Sequence, residues 1–220
     1  MKILVLSDCH GRPELITNAL NHASYCKGED VLVFAGDIVD IGYHAEECLN
    51  ILEDNNAELL WGNHDWAAVN GYPIHPQNSY DEGFLERLNK IHFKKACSYN
   101  DVLITHAGLS MDFYEKIGEG SIQDVVNIVN SLNTRVVYNE RNGLLWYRPS
   151  QLNPPAPFWQ ISGHTPPGYM KYIKDKKPFK KFIMIDPYIN EGFEKKGRFR
   201  YVEIADGIKI FDSEENLDRS

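Results

Sequence analysis

The sequence predicts an α/β fold. Three observations lead there. Short apolar runs of strand length alternate with stretches of helical periodicity through the first half of the chain. The runs are apolar throughout rather than every second residue, the pattern of strands buried on both faces. Five of the runs are followed at once by a cluster of polar residues of metal-ligand type.

The elements follow in order. Lys2 to Ser7 (KILVLS) reads as the first strand. Pro13 stands at the head of a helix over roughly Glu14 to Ala23, with Leu15, Ala19 and Leu20 as its apolar stripe. Asp30 to Ala35 is a second strand, Ala45 to Leu52 a second helix, Glu58 to Trp61 a third strand and Val102 to Thr105 a fourth. Ile122 to Leu132 has helical spacing, with Ile122, Val125, Val126 and Val129 on one face. Pro149 to Pro157 reads as a loop. Phe158 to Ser162, Phe182 to Ile185, Phe199 to Ala205 and Ile208 to Phe211 read as strands, the last two joined by the turn pair Asp206-Gly207. There is no internal repeat and no clear linker, so residues 1–212 are expected to form one domain and 213–220 a polar tail that frays.

Composition narrows the function. With 43% hydrophobic and 12% aromatic residues the chain can bury a substantial core, which excludes disorder as the dominant state. The run Ile3 to Leu6 is too short to span a membrane or to form a signal peptide, and no membrane partner is expected. Four cysteines without a CxxC pair make neither a disulfide framework nor a zinc ribbon, so the cytoplasm is the expected setting. A net charge of −8 argues against a dedicated nucleic-acid binder. It leaves room for an anionic substrate, because a bound metal supplies positive charge that side-chain counting misses.

The chemistry lies in the strand-end clusters: Asp8-Cys9-His10, Gly36-Asp37 with Asp40, Gly62-Asn63-His64-Asp65, Thr105-His106 and Gly163-His164. Carboxyl ends of strands line the ligand crevice of α/β sheets, so five distant segments can converge there. Asp, Asn and His together are an O/N donor set that suits manganese, iron or zinc better than calcium.

The ordered set SDCHG (Ser7–Gly11), GDIVD (Gly36–Asp40), GNHD (Gly62–Asp65), THAG (Thr105–Gly108) and SGHTP (Ser162–Pro166) resembles the calcineurin-like metallophosphoesterases. It is most similar to their phosphoprotein-phosphatase branch, which includes bacterial and phage serine/threonine phosphatases and symmetrical dinucleoside tetraphosphatases. The resemblance implies a two-sheet β-sandwich flanked by helices. It implies two divalent metals, with manganese the first choice, one held by Asp8 and His10 and the other by Asn63, His106 and His164, with Asp37 bridging both. It further implies His64 as proton donor, oriented by Asp40. Two ions about 3.5–4 Å apart bridge a water and bring its pKa toward neutrality, which gives a metal-bridging hydroxide for in-line attack on phosphorus. An imidazole paired with a carboxylate is suited to protonate the leaving alkoxide.

The implied activity is a phosphomonoesterase of the protein serine/threonine phosphatase kind, with a symmetrical dinucleoside polyphosphate hydrolase or a nucleotide phosphodiesterase as alternatives. The substrate is then a phosphoprotein, a nucleotide or a dinucleotide. A non-catalytic binding module of the same fold is the remaining alternative, although such modules lose ligands and none is missing here. One departure stands out. The branch usually follows GDxVD with an Arg that binds substrate phosphate, and this chain has Ile41 there. Arg148, in the segment LLWYRP, is the first candidate to replace it, against a bland role packed on Trp146; Arg12 is the second. His22, His44, His75 and His92 read as surface or partly buried groups, with His75 placed to reach the cleft rim. Cys9 is expected to point away from its neighbours by strand alternation, and Cys26, Cys48 and Cys97 to act as small hydrophobes. Lys174 to Lys181 and Glu194 to Arg200 read as solvated edges, and Trp66, Tyr72 and Tyr80 as core or rim aromatics.

Overall fold

The structure is a computed structural model that describes residues 1–72, 74–75, 80–167, 179–187 and 199–213. Two mixed sheets pack face to face. The first holds β1 (Ile3–Leu6), β2 (Val31–Phe34), β3 (Glu58–Leu59), β8 (Arg200–Ile204) and β9 (Ile208–Asp212), in the order β3-β2-β1-β8-β9. Its β1, β2 and β3 run parallel, and β8 and β9 are antiparallel additions. The second holds β4 (Ala96–Tyr99), β5 (Val102–Thr105), β6 (Trp159–Ser162) and β7 (Phe182–Met184) in sequence order, with β5, β6 and β7 parallel.

Side-chain alternation along the strands builds the layers. Ile3 and Val5 of β1, with Val33 and Ala35, face Ile104, Ile161 and Ile183 of the other sheet and form the inter-sheet core. Leu4, Leu6, Leu32 and Phe34 point the other way, onto Ile16 and Ala19 of α1 (Pro13–His22) and Leu49 and Leu52 of α2 (Ala45–Asp54). The outer face of the second sheet is covered by α5 (Met111–Ile117), α6 (Ile122–Ser131) and α7 (Thr134–Asn139), through Leu103 against Phe113, Val125, Val129 and Val137. The result is the helix–sheet–sheet–helix sandwich expected from the resemblance. Strands buried on both faces explain why the early runs carry no polar alternation.

Differences from the sequence reading are local. The first helix begins at Pro13, where the missing N–H is no loss. The third strand stops at Leu59, with Leu60 making an isolated bridge to Lys94. Four helices were not anticipated: α3 (Asn63–Val69), α4 (Glu82–Lys90), α5 and α7. Three of them start at a side-chain cap, with Asp81, Ser110 and Asn133 accepting from the backbone N–H of Phe84, Phe113 and Arg135. Strand β4 was also missed; its ACSY run carries no continuous apolar signal. The Asp206-Gly207 turn joins β8 to β9 as expected. Of the two basic stretches, Lys174 to Pro178 and Glu194 to Arg198 lie outside the described residues, as do residues 214–220 of the tail, while Lys180 and Lys181 are exposed.

Candidate metal centre

Asp8 follows β1, Asp37 and Asp40 follow β2, Asn63 and His64 open α3 just after β3, His106 follows β5 and His164 follows β6. All are buried. The parallel strands put these ends on one edge of the sandwich, and hydrogen bonds across the two sheets draw them together. The His164 N–H donates to both carboxylate oxygens of Asp8 at 3.0 Å. His106 Nδ1 lies 2.7 Å from the Ala35 carbonyl oxygen. Gly163 permits the first contact, since a Cβ there would sit 2.0 Å from the Ser7 hydroxyl and from Asp8 Oδ2.

The backbone bends sharply at five of the eight candidate site residues and at Ile41 beside them. Asp8, His10, Asp37, Asp40, Ile41 and His164 all have left-handed φ, between 45° and 67°. Such residues cost on the order of 1–3 kcal/mol each and persist only where surrounding structure holds them. Here the loops hold one another: His10 N–H donates to the Asp37 carbonyl, Gly11 N–H to that of Ile38 and Gly42 N–H to that of His10. Asp65 strengthens the clamp. Its buried carboxylate accepts from the backbone N–H of Asp37 (2.7 Å), Ile38 (2.9 Å), Val39 (3.2 Å) and Gly62 (3.2 Å).

Asp37 Oδ2 is the hub of the site. It lies 3.4 Å from His106 Nε2, 3.6 Å from His10 Nε2 and 3.8 Å from His64 Nε2. Two groups with ligand atoms mutually within 4.8 Å share this residue: His10, Asp37 and His64, and Asp37, His106 and His164. Asn63 Oδ1 joins the second, 2.8 Å from His106 Nε2 and 3.1 Å from His164 Nδ1. Asp8 stands at the margin of the first, 3.9 Å from His10 Nε2, while His64 falls inside it.

The donor chemistry fits a cation. His10 and His106 each turn Nδ1 to a backbone carbonyl, of Val39 at 2.8 Å and Ala35 at 2.7 Å, which leaves Nε2 as a lone pair aimed inward. At His106 that lone pair meets two further acceptors, Asn63 Oδ1 and Asp37 Oδ2, and three acceptors with no proton between them are what a divalent ion satisfies. Burial pushes His106 down to about 3 and holds His10 and His164 well below the usual imidazole range, so all three are neutral, as ligands must be. Burial and then Asp186 push the Asp8 carboxyl up; burial and then Asp8 and Asp65 do the same to Asp37. Crowded carboxyls of this kind are relieved by positive charge.

The pair His64–Asp40 is formed, with Nδ1 2.8 Å from Asp40 Oδ2. Arg148 is exposed, yet its charge acts on His106 and His164 and lowers both. Arg12 is half-buried; its Nε donates to the Cys9 carbonyl at 3.3 Å, and one terminal nitrogen is buried without a hydrogen-bond partner. His22 packs among Phe199, Tyr201 and Phe211, and His44 and His92 are exposed. The His75 ring stacks on His64 at 5.4 Å between centroids.

Cys9 does point away, its thiol 3.8 Å from the Ile38 carbonyl, but not through strand alternation. The strand has already ended at Leu6, and left-handed turns at Asp8 and His10 aim the side chains. Cys48 and Cys97 are buried as expected, whereas Cys26 is exposed. Trp66 is core, stacked on Tyr138 at 3.9 Å; Tyr72 is exposed; Tyr80 binds Asp40. The sequence reading gave no such role to Ser7, whose hydroxyl donates to Asp8 Oδ2, or to Asp65 and Tyr80, and did not single out Asp186. Only Asp65 carried a usable signal, an acid three residues after the N-cap glycine of α3.

Over 67 residues the chain is 36% identical to the symmetrical bis(5'-nucleosyl)-tetraphosphatase of Actinobacillus pleuropneumoniae serotype 3 (strain JL03), a stretch that spans 30% of this chain and a quarter of that relative's length. Among solved structures, the cold-active protein-tyrosine phosphatase of a psychrophilic Shewanella species superposes with a TM-score of 0.65 at 18% identity, covering 96% of this chain and 80% of that one. A protein serine/threonine phosphatase from Saccharomyces cerevisiae gives a TM-score of 0.61 at 19% identity, covering 97% and 80%. At such identities these two likenesses speak for the fold. The calcineurin-like phosphoesterase profile matches residues 1–190, and by that match the chain belongs to this family of metal-dependent phosphoester hydrolases.

Proposed function

We propose that the chain is a two-metal phosphoesterase acting as a phosphomonoesterase on phosphoprotein, with residues 1–212 as one catalytic domain in the cytoplasm. The observation that carries the reading is the single carboxylate oxygen of Asp37 faced by imidazole nitrogens from three separate segments of the chain. Asp8 and His10 would hold one ion, Asn63, His106 and His164 the other, and Asp37 both, with manganese the first choice. Two such ions supply an activated water and neutralise phosphoryl charge. His64 delivers a proton to the leaving oxygen from Nε2, while Asp40 on Nδ1 fixes its tautomer and stabilises the imidazolium. Arg148 and then Arg12 are the candidates to bind substrate phosphate in place of the absent Arg at Ile41.

The test is to purify the protein metal-free, add Mn²⁺ and assay a chromogenic phosphomonoester. Metal-dependent turnover is expected; no turnover with any divalent ion, on monoester or diester, removes the reading. Hydrolysis of dinucleoside polyphosphates is the second reading, favoured by the match to a symmetrical tetraphosphatase. Faster turnover of a dinucleoside tetraphosphate than of a phosphopeptide at equal Mn²⁺ would select it.

A further inference from the structure

Asp40 has no solvent exposure and a left-handed backbone, so its orientation depends on its partners. His64 Nδ1 takes one carboxylate oxygen, Oδ2, which also lies 3.4 Å from the His75 backbone N–H. The other oxygen belongs to Tyr80. The Tyr80 hydroxyl donates to Asp40 Oδ1 at 3.2 Å and accepts the Asp40 backbone N–H at 2.5 Å. One phenol thus grips both the side chain and the main chain of the residue that aims His64.

The ring itself is anchored elsewhere. Tyr80 directly precedes Asp81, the N-cap of α4, and packs on Phe84 of that helix at 5.5 Å. The grip is therefore referred to α4, outside the five motifs, and resting on the phosphoesterase reading above, we propose that Tyr80 is a positioning residue for proton delivery. It holds the plane of the Asp40 carboxylate so that Oδ2 meets His64 Nδ1 and Nε2 stays turned toward Asp37, 3.8 Å away. Without the hydroxyl, Asp40 keeps a buried oxygen with one donor fewer and can swing off the imidazole.

Tyr80→Phe removes only the hydroxyl and keeps the ring against Phe84. Proton delivery matters most when the leaving oxygen is strongly basic. With an alkyl phosphate, kcat of the variant is expected to fall about 10–100-fold, as when an outer partner that orients a working imidazole is lost. With p-nitrophenyl phosphate, whose leaving group hardly needs a proton, kcat should change little, and KM should hold for both. In an Asp40→Asn background the added Tyr80→Phe change should have no further effect. Equal losses on both esters would assign Tyr80 a purely structural role and overturn the proposal, as would no loss on either. A readout independent of turnover is the downfield proton resonance of the His64 Nδ1–H in metal-free protein, identified by its absence in His64→Asn. It should broaden through faster exchange in Tyr80→Phe, and an unchanged signal counts against the proposal. Failure of the wild-type protein to turn over either ester would instead sink the phosphoesterase reading, and the resonance would still decide whether Tyr80 holds the pair.

Discussion

The helical layer over the first sheet and the edge where the strands end are equally well shielded from water, yet they are built from different side chains. Under α1 and α2 lie Leu4, Leu32, Phe34, Ile16, Leu49 and Leu52, and their burial stabilises the fold at roughly 1.5–3 kcal/mol per large side chain. At the edge lie Asp8, His10, Asp37, Asp40, Asn63, His64, Asp65, His106 and His164, each less than 10% exposed. Their burial opposes folding unless every polar atom finds a partner. Backbone geometry divides the same way: the left-handed residues crowd the edge loops, and none occurs within α1 or α2. Burial alone therefore does not mark a core. What distinguishes the two regions is whether the buried groups complete one another or leave converging lone pairs for something else to complete.

The sharpest way to break that comparison is at Asp37. Asp37→Asn is expected to lower turnover by more than ~10⁴, beyond what a single general acid contributes, and to abolish the rise in Tm on adding Mn²⁺. Retention of that rise would remove Asp37 from the centre of the site. His64→Asn should lose ~10²–10⁴ in rate while keeping its metal content by elemental analysis, which separates proton delivery from ligation. Loss of one metal equivalent in that variant would make His64 a ligand instead, as its place in the first group allows.

On the apolar side, Leu49→Ala should cost ~2–5 kcal/mol in chemical denaturation with turnover per folded molecule unchanged. A matching fall in specific activity would show that the helical layer and the edge are coupled. Asp65→Asn should act in the opposite sense, through the four N–H groups it clamps. Calorimetric Mn²⁺ affinity is expected to drop about 10–100-fold, with a smaller change in stability than Leu49→Ala brings.

Much of this was legible in the sequence, for a definite reason. Asp8, Asp37, Asn63, His106 and His164 each follow a short apolar run, so the polar clusters could be read as strand ends before any pairing was known. Helix α3 was not legible because its first turn is the candidate ligand motif itself, and Gly-Asn-His-Asp has the composition of a turn. The part of Tyr80 escaped because its partner is 40 residues away and no local pattern connects them. Asp186 escaped likewise, since it acts on Asp8 across the fold, whereas Ser7 stands next to Asp8 and only the turn at Asp8 shows that its hydroxyl folds back onto that carboxylate.

The bonds from the His106 imidazole to the Ala35 carbonyl and from the His164 backbone N–H to Asp8 mean that loops carried by one sheet are positioned by atoms of the other. The pocket therefore works as a caliper on the spacing of the sandwich. Enlarging or shrinking a residue such as Ile161 or Val33 in the filling between the sheets would be felt at the ligands as a change of bite. Such a change is expected to shift metal preference from a distance, through aliphatic side chains that lie outside the candidate metal groups.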